Sequence, residues 1–412
     1  MKRIMTLWSA CSLALLFLMT ATNGRCDTFS KEMFGIEQGY VHPFLSVSGE
    51  YTDNLFSDET GEESDFFTKV SPGIWLSLPG ADAEVINYAS SSSTPGGMAQ
   101  TRFQAEDMGR YQTFLKYAPT FENYIDFNER DIVTHQLDAY AALNLSGGLS
   151  FELMDQYKDD RDSVEEQTDS AEYNNNLVGL TTSYNVTEKL KARVDVRYYD
   201  VNYDSTKPEK DREDMSVTGY VFFAVKPKTS VFAEVSHVDV DYDIAIKDST
   251  ELKVYGGVKY DASDRIDAML KVGYISKDLD ATDETKDSPS FEGTLWYDLT
   301  SRIDINASAS RFTKESTTGR FSTETKGSVI GSYEATDKIK ASLMLSVSEE
   351  DYDSLDRDDT TYTVSPSLNY ALSPKVYGNL AYSYSEKDAT GSESGASDYT
   401  KNSVIFTMSA SF

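Results

Sequence analysis

Apolar residues return at every second position in segment after segment from Val41 to Phe412, and no other feature restricts the fold so tightly. A period of two belongs to an extended strand, whose side chains point alternately to opposite faces. In KIKASLMLSV, Ile339, Ala341, Leu343, Leu345 and Val347 share one face; Lys340, Ser342, Met344 and Ser346 share the other. RIDINASAS sets Ile303, Ile305, Ala307 and Ala309 against Asp304, Asn306, Ser308 and Ser310. KLKARVDVR sets Leu190, Ala192, Val194 and Val196 against Lys191, Arg193, Asp195 and Arg197. Eighteen such segments run from 41–55 and 66–78, through 112–126, to 375–386 and 399–412. Helical periodicity is scarce.

The connections alternate in kind. One set is short: SGG at 146–148, KPK at 226–228, ASD at 262–264, TSR at 300–302 and LSPK at 372–375. These carry the Gly, Pro, Asn, Asp and Ser of tight hairpins. The other set is long and acidic: DDRDSVEEQTDS at 159–170, DSTKPEKDRED at 204–214, LDATDETKDS at 279–288 and EEDYDSLDRDD at 349–359. Short turns at one end and long loops at the other describe an up-and-down antiparallel meander. A Greek-key sandwich would not separate its two ends so strictly. The pattern predicts an all-β transmembrane antiparallel barrel of about 18 strands, with short periplasmic turns and long acidic extracellular loops. A bilayer offers no water to a bare sheet edge, so the sheet must close.

Composition fits this once half of every strand is turned away from lipid. Mean hydropathy is −0.46 and the formal net charge is −30, values that suggest an acidic soluble protein when read alone. In a barrel the lumen and loops carry the polarity. That charge repels phosphate and excludes nucleic acid as a partner. The 27 tyrosines suit interfacial girdles, with Tyr51, Tyr157, Tyr199, Tyr203, Tyr242, Tyr274, Tyr352 and Tyr384 near the loop ends of the segments.

Both termini point the same way. Residues 1–26 carry Lys2 and Arg3, an apolar run from Ser12 to Met19, and a small and polar exit, the layout of a secretory signal peptide. Arg25 stands where a lipidation site at Cys26 would want a small residue. Residues 27–40 form a periplasmic lead-in to a barrel over 41–412. At the other end, SVIFTMSASF places Val404, Phe406, Met408, Ala410 and Phe412 on one face and stops. A closing strand ending on Phe412 resembles the signal by which the outer-membrane assembly machinery recognises its clients. The expected location is the outer membrane of a Gram-negative bacterium, with lipid and lipopolysaccharide as surroundings.

One segment breaks the rhythm. Residues 79–111 are too long for a periplasmic turn and include a Ser run followed by Pro95, Gly96 and Gly97. They are read as a disordered periplasmic loop, with a lumen constriction or an extra hairpin as alternatives.

The candidate lumen residues are Lys191, Arg193, Asp195, Arg197, Asp304 and Lys340, a mixed-charge set on the polar faces of their strands. Asp239, Asp241 and Asp243 share one strand face and form a candidate acidic rim, solvated or weakly binding divalent cations. Asp200, Asn202 and Asp204 begin like a calcium loop, but Ser205 stands where glycine is required. Beyond the signal segment there are three histidines, His42, His135 and His237, and no GxSxG, HExxH or CxxC pattern. No catalytic residue, metal site or cofactor is expected.

VHPFLSVSGEYTDNLF (41–56), ESDFFTKVSPGIWLSLPG (63–80) and LMDQYKDDRD (153–162) resemble a family of outer-membrane β-barrel porins whose members often sit in exopolysaccharide biosynthesis loci. The markers are the Tyr-Thr-Asp-Asn stretch at 51–54 and Ser-Pro-Gly at 71–73. The resemblance implies a hydrophilic channel through which a secreted polysaccharide leaves the cell, and brings no catalytic residues. The competing expectation is a non-conducting barrel that acts as a scaffold or surface-binding protein through its acidic loops.

Overall fold

A computed structural model describes residues 40–78, 83–87, 101–105, 110–161, 171–204, 210–244, 247–263, 265–315, 321–353, 355–391 and 398–412. The proposed signal segment and lead-in lie outside these, apart from Tyr40. Strands β1 (Val41–Thr52) and β2 (Asp65–Leu78) precede a short hairpin, β3 (Ala83–Asn87) and β4 (Thr101–Ala105). Then follow β5 (Tyr111–Tyr124), β6 (Ile132–Asn144), β7 (Leu149–Arg161), β8 (Glu172–Asn185), β9 (Leu190–Tyr203), β10 (Arg212–Lys226), β11 (Thr229–Tyr242) and β12 (Ser249–Ser263). The chain ends with β13 (Ile266–Leu279), β14 (Glu284–Thr300), β15 (Ile303–Glu315), β16 (Phe321–Thr336), β17 (Ile339–Tyr352), β18 (Arg357–Ser373), β19 (Val376–Gly391) and β20 (Tyr399–Ser411).

Eighteen of these strands form one antiparallel sheet, each paired with its neighbour in sequence, and β1 pairs with β20 to close it. β2 pairs directly with β5, while β3 and β4 pair with each other in a separate two-stranded sheet. The long segment after β2 therefore contains the extra hairpin, but it adds no strand to the barrel. No described helix is long and apolar enough to cross a membrane, which is silent about crossing by strands.

The two faces follow the period of two. On β12, Leu252, Val254, Val258 and Tyr260 are exposed outside, while Glu251, Lys253 and Tyr255 are buried inside. Tyr111, Tyr184, Tyr260, Tyr333 and Tyr370 ring the outer face near the short turns; Tyr51, Tyr198, Tyr274 and Tyr362 ring it towards the loops. Apolar residues fill the band between, as a hydrocarbon core of about 25 Å requires. The loop-end tyrosines divide, however. Tyr51 and Tyr274 face outward, but Tyr199, Tyr242 and Tyr352 are buried on the inner face. Above the lipid band the outside of the wall is wet, so there the protected face for an aromatic ring is the inner one.

Several expected loops are instead wall. β13 and β14 meet at Leu279 and Glu284, β17 and β18 are joined by only four residues, and β19 continues to Gly391. Alternating acids such as Asp287, Asp351 and Asp358 sit on the outer face of these extensions. Polarity on both faces imitates a loop in sequence wherever a strand rises above the lipid. At the other end, five hairpins repeat one irregularity, a register shift at Ala224/Lys226, Asp261/Ser263, Asp298/Thr300, Glu334/Thr336 and Ala371/Ser373. One extra residue beside a tight turn sharpens its twist. The SGG turn instead uses Gly147 and Gly148 at positive φ (102° and 83°), which side-chain-bearing residues resist.

Candidate functional site

The lumen has two unlike walls. From β15 round through β20, the inner face is mostly hydroxyls and amides, broken by Ile330, Met344 and Ile405, whereas β1 and β2 beyond it turn His42, Phe44, Phe67, Lys69 and Trp75 inward. Cross-strand pairs link the hydroxyls and amides: Ser308 with Ser328 (2.8 Å), Ser332 with Ser342 (3.2 Å) and Ser365 with Ser383 (2.9 Å). Asn379 Nδ2 donates to Asn369 Oδ1 (2.8 Å), and Ser46 pairs with Ser409 (3.1 Å). Most of these side chains are half-buried, so one side holds the sheet together and the other faces the open interior. A hydroxyl has one donor and two acceptor sites, so each keeps capacity for water or a passing solute. From β15 to β20 the ion pairs lie towards the ends, where Lys340 meets Asp304 at 3.2 Å and Arg357 and Lys387 meet Asp359, and beyond them Lys69 of β2 pairs with Glu122 of β5 at 2.9 Å.

The opposite wall, β9 to β14, is charged, aromatic and buried. Asp195 accepts from Arg193 Nε and Nη2 (both 2.7 Å), Arg197 Nη2 (3.0 Å) and Thr181 Oγ1 (2.8 Å). Lys271 donates to Glu234 (3.0 Å), lies 3.7 Å from Glu292, and sits over the Tyr255 ring at 4.4 Å. Lys277 joins Glu251 (3.0 Å) and Glu315 (2.5 Å). A buried ammonium is tolerated only when paired and hydrogen-bonded, and each of these is.

Glu315 reaches Lys277 because the wall splits. β14 pairs with β15 only from Phe291–Arg311 to the periplasmic turn, although both strands continue beyond it. The upper part of β14 stays on β13, while the end of β15 turns into the barrel. There Thr313 donates to Glu251 (2.9 Å), Tyr242 donates to Glu315 (3.0 Å), and Phe312 packs with Tyr255 and Ile275. Side chains from β11, β12, β13 and β15 thus meet on one side of the barrel near its extracellular end. The sequence held one signal of this: Phe312 falls on the polar phase set by Asp304, Asn306, Ser308 and Ser310.

Of the sequence-derived candidates, Lys191, Arg193, Asp195 and Arg197 lie on the inner face of β9, and Asp304 and Lys340 form an ion pair on the inner face of β15 to β17. Asp239 and Asp241 lie on the outer face of β11, beyond the exposed Val231 and Val235, and Asp243 follows that strand's last residue, Tyr242. His237 shares that face, 3.7 Å from Asp239. His135 also faces outward and bonds Tyr117 (2.9 Å). His42 faces inward, stacked on Trp75 at 4.0 Å, where an inner aromatic cluster runs through Phe114 and Tyr140 to Leu177 and Tyr199. Among the described residues no group of three or more His, Cys, Asp or Glu side chains is placed to hold a metal. Phe412 ends the closing strand, and its amide donates to the Pro43 carbonyl at 2.9 Å.

A family model described as "Putative beta-barrel porin 2" matches residues 106–412. The match starts after β2, so the Tyr51–Asn54 and Ser71–Gly73 stretches lie outside it. No curated protein matches the sequence significantly. Among solved structures, OccK2 (OpdF) of Pseudomonas aeruginosa superposes with a TM-score of 0.50 at 9% identity, covering 92% of this chain and 100% of that one. The outer membrane protein opdK of Pseudomonas aeruginosa gives 0.48 at 9% identity over 91% and 100%. A BenF-like porin from Pseudomonas fluorescens Pf-5 gives 0.48 at 8% identity over 90% and 99%. At 9% identity the likeness to OccK2 (OpdF) is one of fold.

Proposed function

This chain belongs to the family described as putative beta-barrel porin 2, and from that membership we propose that its channel exports a neutral or weakly charged polysaccharide across the outer membrane. One observation carries the choice of cargo. The inner face of β15 to β20 is mostly serine, threonine and asparagine, interrupted by Ile330, Met344 and Ile405, with its ion pairs towards the two ends. A charged ladder would favour ions or small charged solutes. Hydroxyls and amides instead exchange hydrogen bonds with sugar hydroxyls at little net cost, so a polymer can slide without a deep trap. Passage is passive, and the buried charges of the opposite wall stiffen the barrel without lining the path.

A planar-bilayer recording with neutral polymers tests this. The reading is supported by a stable open level that a neutral linear oligosaccharide interrupts in brief blocks. An open level that sugars never interrupt, with charged solutes passing freely, counts against it.

The in-turned end of β15 favours a second reading. If the Lys277–Glu251–Glu315 cluster holds the mouth shut, the barrel is a scaffold that binds partners through its acidic rim. Silence in the bilayer, together with a partner captured by the loops, would then be the result.

A further inference from the structure

We propose that Trp296 is a sugar-stacking subsite at the periplasmic mouth, where a pyranose ring of the exported polymer first meets the lumen; the inference rests on the polysaccharide reading above. Trp296 lies on β14, four residues before that strand reaches its periplasmic turn at Thr300. Register fixes its face. Glu292 stands opposite Lys271, and both are buried in the inner wall. Two steps on, Thr294 stands opposite Met269, and two further, Trp296 stands opposite Asp267. The ladder is unbroken between these pairs, so Trp296 also points inward.

An inward indole at this height is 52% exposed. The other tryptophan of the barrel, Trp75, also points inward and is 0% exposed. An exposed tryptophan in an outer-membrane barrel ordinarily sits in the lipid-facing girdle, its body in hydrocarbon and its N–H in water. Trp296 faces away from lipid, and no aromatic ring stacks on it among the described residues. Its ring face is open to the lumen.

The neighbours suit one ligand class. Asp267 flanks Trp296 on β13 and Asn306 flanks it on β15. Asp298 and Asp304 stand opposite each other one step nearer the periplasm, with Lys340 bonded to Asp304 at 3.2 Å. A pyranose has an apolar face of C–H bonds and a rim of hydroxyls. The C–H face packs on the negative π face of an indole. The hydroxyl rim needs acceptors and donors at the edge of that ring, which carboxylates and an amide supply. Ser308 and Ser328, a bonded hydroxyl pair, follow one step beyond Asn306 on β15 and Ile330 on β16. The stacking platform therefore opens onto the polar track.

The test uses the full folded barrel and a neutral linear gluco-oligosaccharide, added on the periplasmic side. Two readouts are taken: current block in a planar bilayer and acrylamide quenching of tryptophan fluorescence. Of the two barrel tryptophans only Trp296 is open to acrylamide, so the sugar should protect the quenchable signal while it blocks the current. Trp296→Ala should abolish that quenchable signal and raise the half-blocking concentration roughly tenfold. Trp296→Phe, which keeps a smaller ring face, should fall between. If Trp296→Ala blocks as readily as the parent, the subsite is overturned while the polysaccharide reading stands. If the parent conducts but the sugar neither blocks nor protects, the cargo reading fails and takes the subsite with it. Unchanged heat-modified gel mobility of both variants separates these outcomes from misfolding.

Discussion

Asp53 and Asn402, 349 residues apart, are bound to each other three times at the seam of the barrel. Asp53 Oδ1 accepts from the Asn402 amide and Oδ2 from Asn402 Nδ2, each at 2.7 Å, and the Asp53 amide donates to the Asn402 carbonyl at 3.1 Å. Beside them Asn54 Nδ2 donates to the Thr400 and Asp58 carbonyls at 3.0 and 2.8 Å. The Tyr-Thr-Asp-Asn stretch is therefore a clasp where the first strand meets the last. A seam between distant segments has no turn to hold its register, and side-chain bonds supply what a hairpin supplies elsewhere. Removing this carboxylate leaves an amide and a carboxamide without partners at about 1.5–3 kcal/mol. Asp53→Ala should lower the temperature at which the folded band disappears on a semi-native gel, and Asp53→Asn should lower it less.

Glu315 pins the in-turned end of β15 to Lys277 and Tyr242. Glu315→Ala removes one carboxylate from a buried cluster, a change that typically costs about 3–5 kcal/mol. The expected result is a larger single-channel conductance together with a lower unfolding temperature. A variant that loses stability at constant conductance would show that this end of β15 lies outside the current path.

Gly257 lies under the ring of Phe232, and a Cβ there would also meet the Leu270 carbonyl oxygen at 2.8 Å. Neither a central-strand carbonyl nor a 7%-exposed ring has room to retreat. Gly257→Val should destabilise the barrel by about 1–3 kcal/mol, read as a lower yield of the heat-modifiable folded form. Gly219 offers the control, since a Cβ there meets nothing within 4 Å.

Phe412 contributes two separable things, a backbone bond to Pro43 and an exposed ring on the outer face. Phe412→Ala keeps the bond and deletes the ring. If the ring is an assembly signal, the variant should insert slowly in cells yet refold normally in detergent. Equal defects in both settings would make the residue merely structural.

Much of the architecture was legible in the sequence because it depends on period and connection length. Strand number, antiparallel order and the inner placement of Arg193, Asp195 and Arg197 all follow from counting by two. What stayed hidden depends on departures from that count. The strands of β13, β14, β17 and β18 rise above the lipid with polar residues on both faces, which looks like loop. Tyr199, Tyr242 and Tyr352 point inward because above the membrane the dry side is the inside. The in-turned β15 required partners on three other strands, and only Phe312, out of phase with its neighbours, hinted at it. Trp296 was missed for the same reason: its meaning lies in its phase and its exposure, not in its neighbours along the chain.

The central claim is a water-filled path along the hydroxyl wall, and single-channel conductance of the purified barrel in a planar bilayer, with neutral oligosaccharide added to the periplasmic side, tests it most directly. The account predicts a stable open level that the sugar interrupts in resolvable blocks. A barrel that is folded by its gel mobility yet carries no current would contradict it.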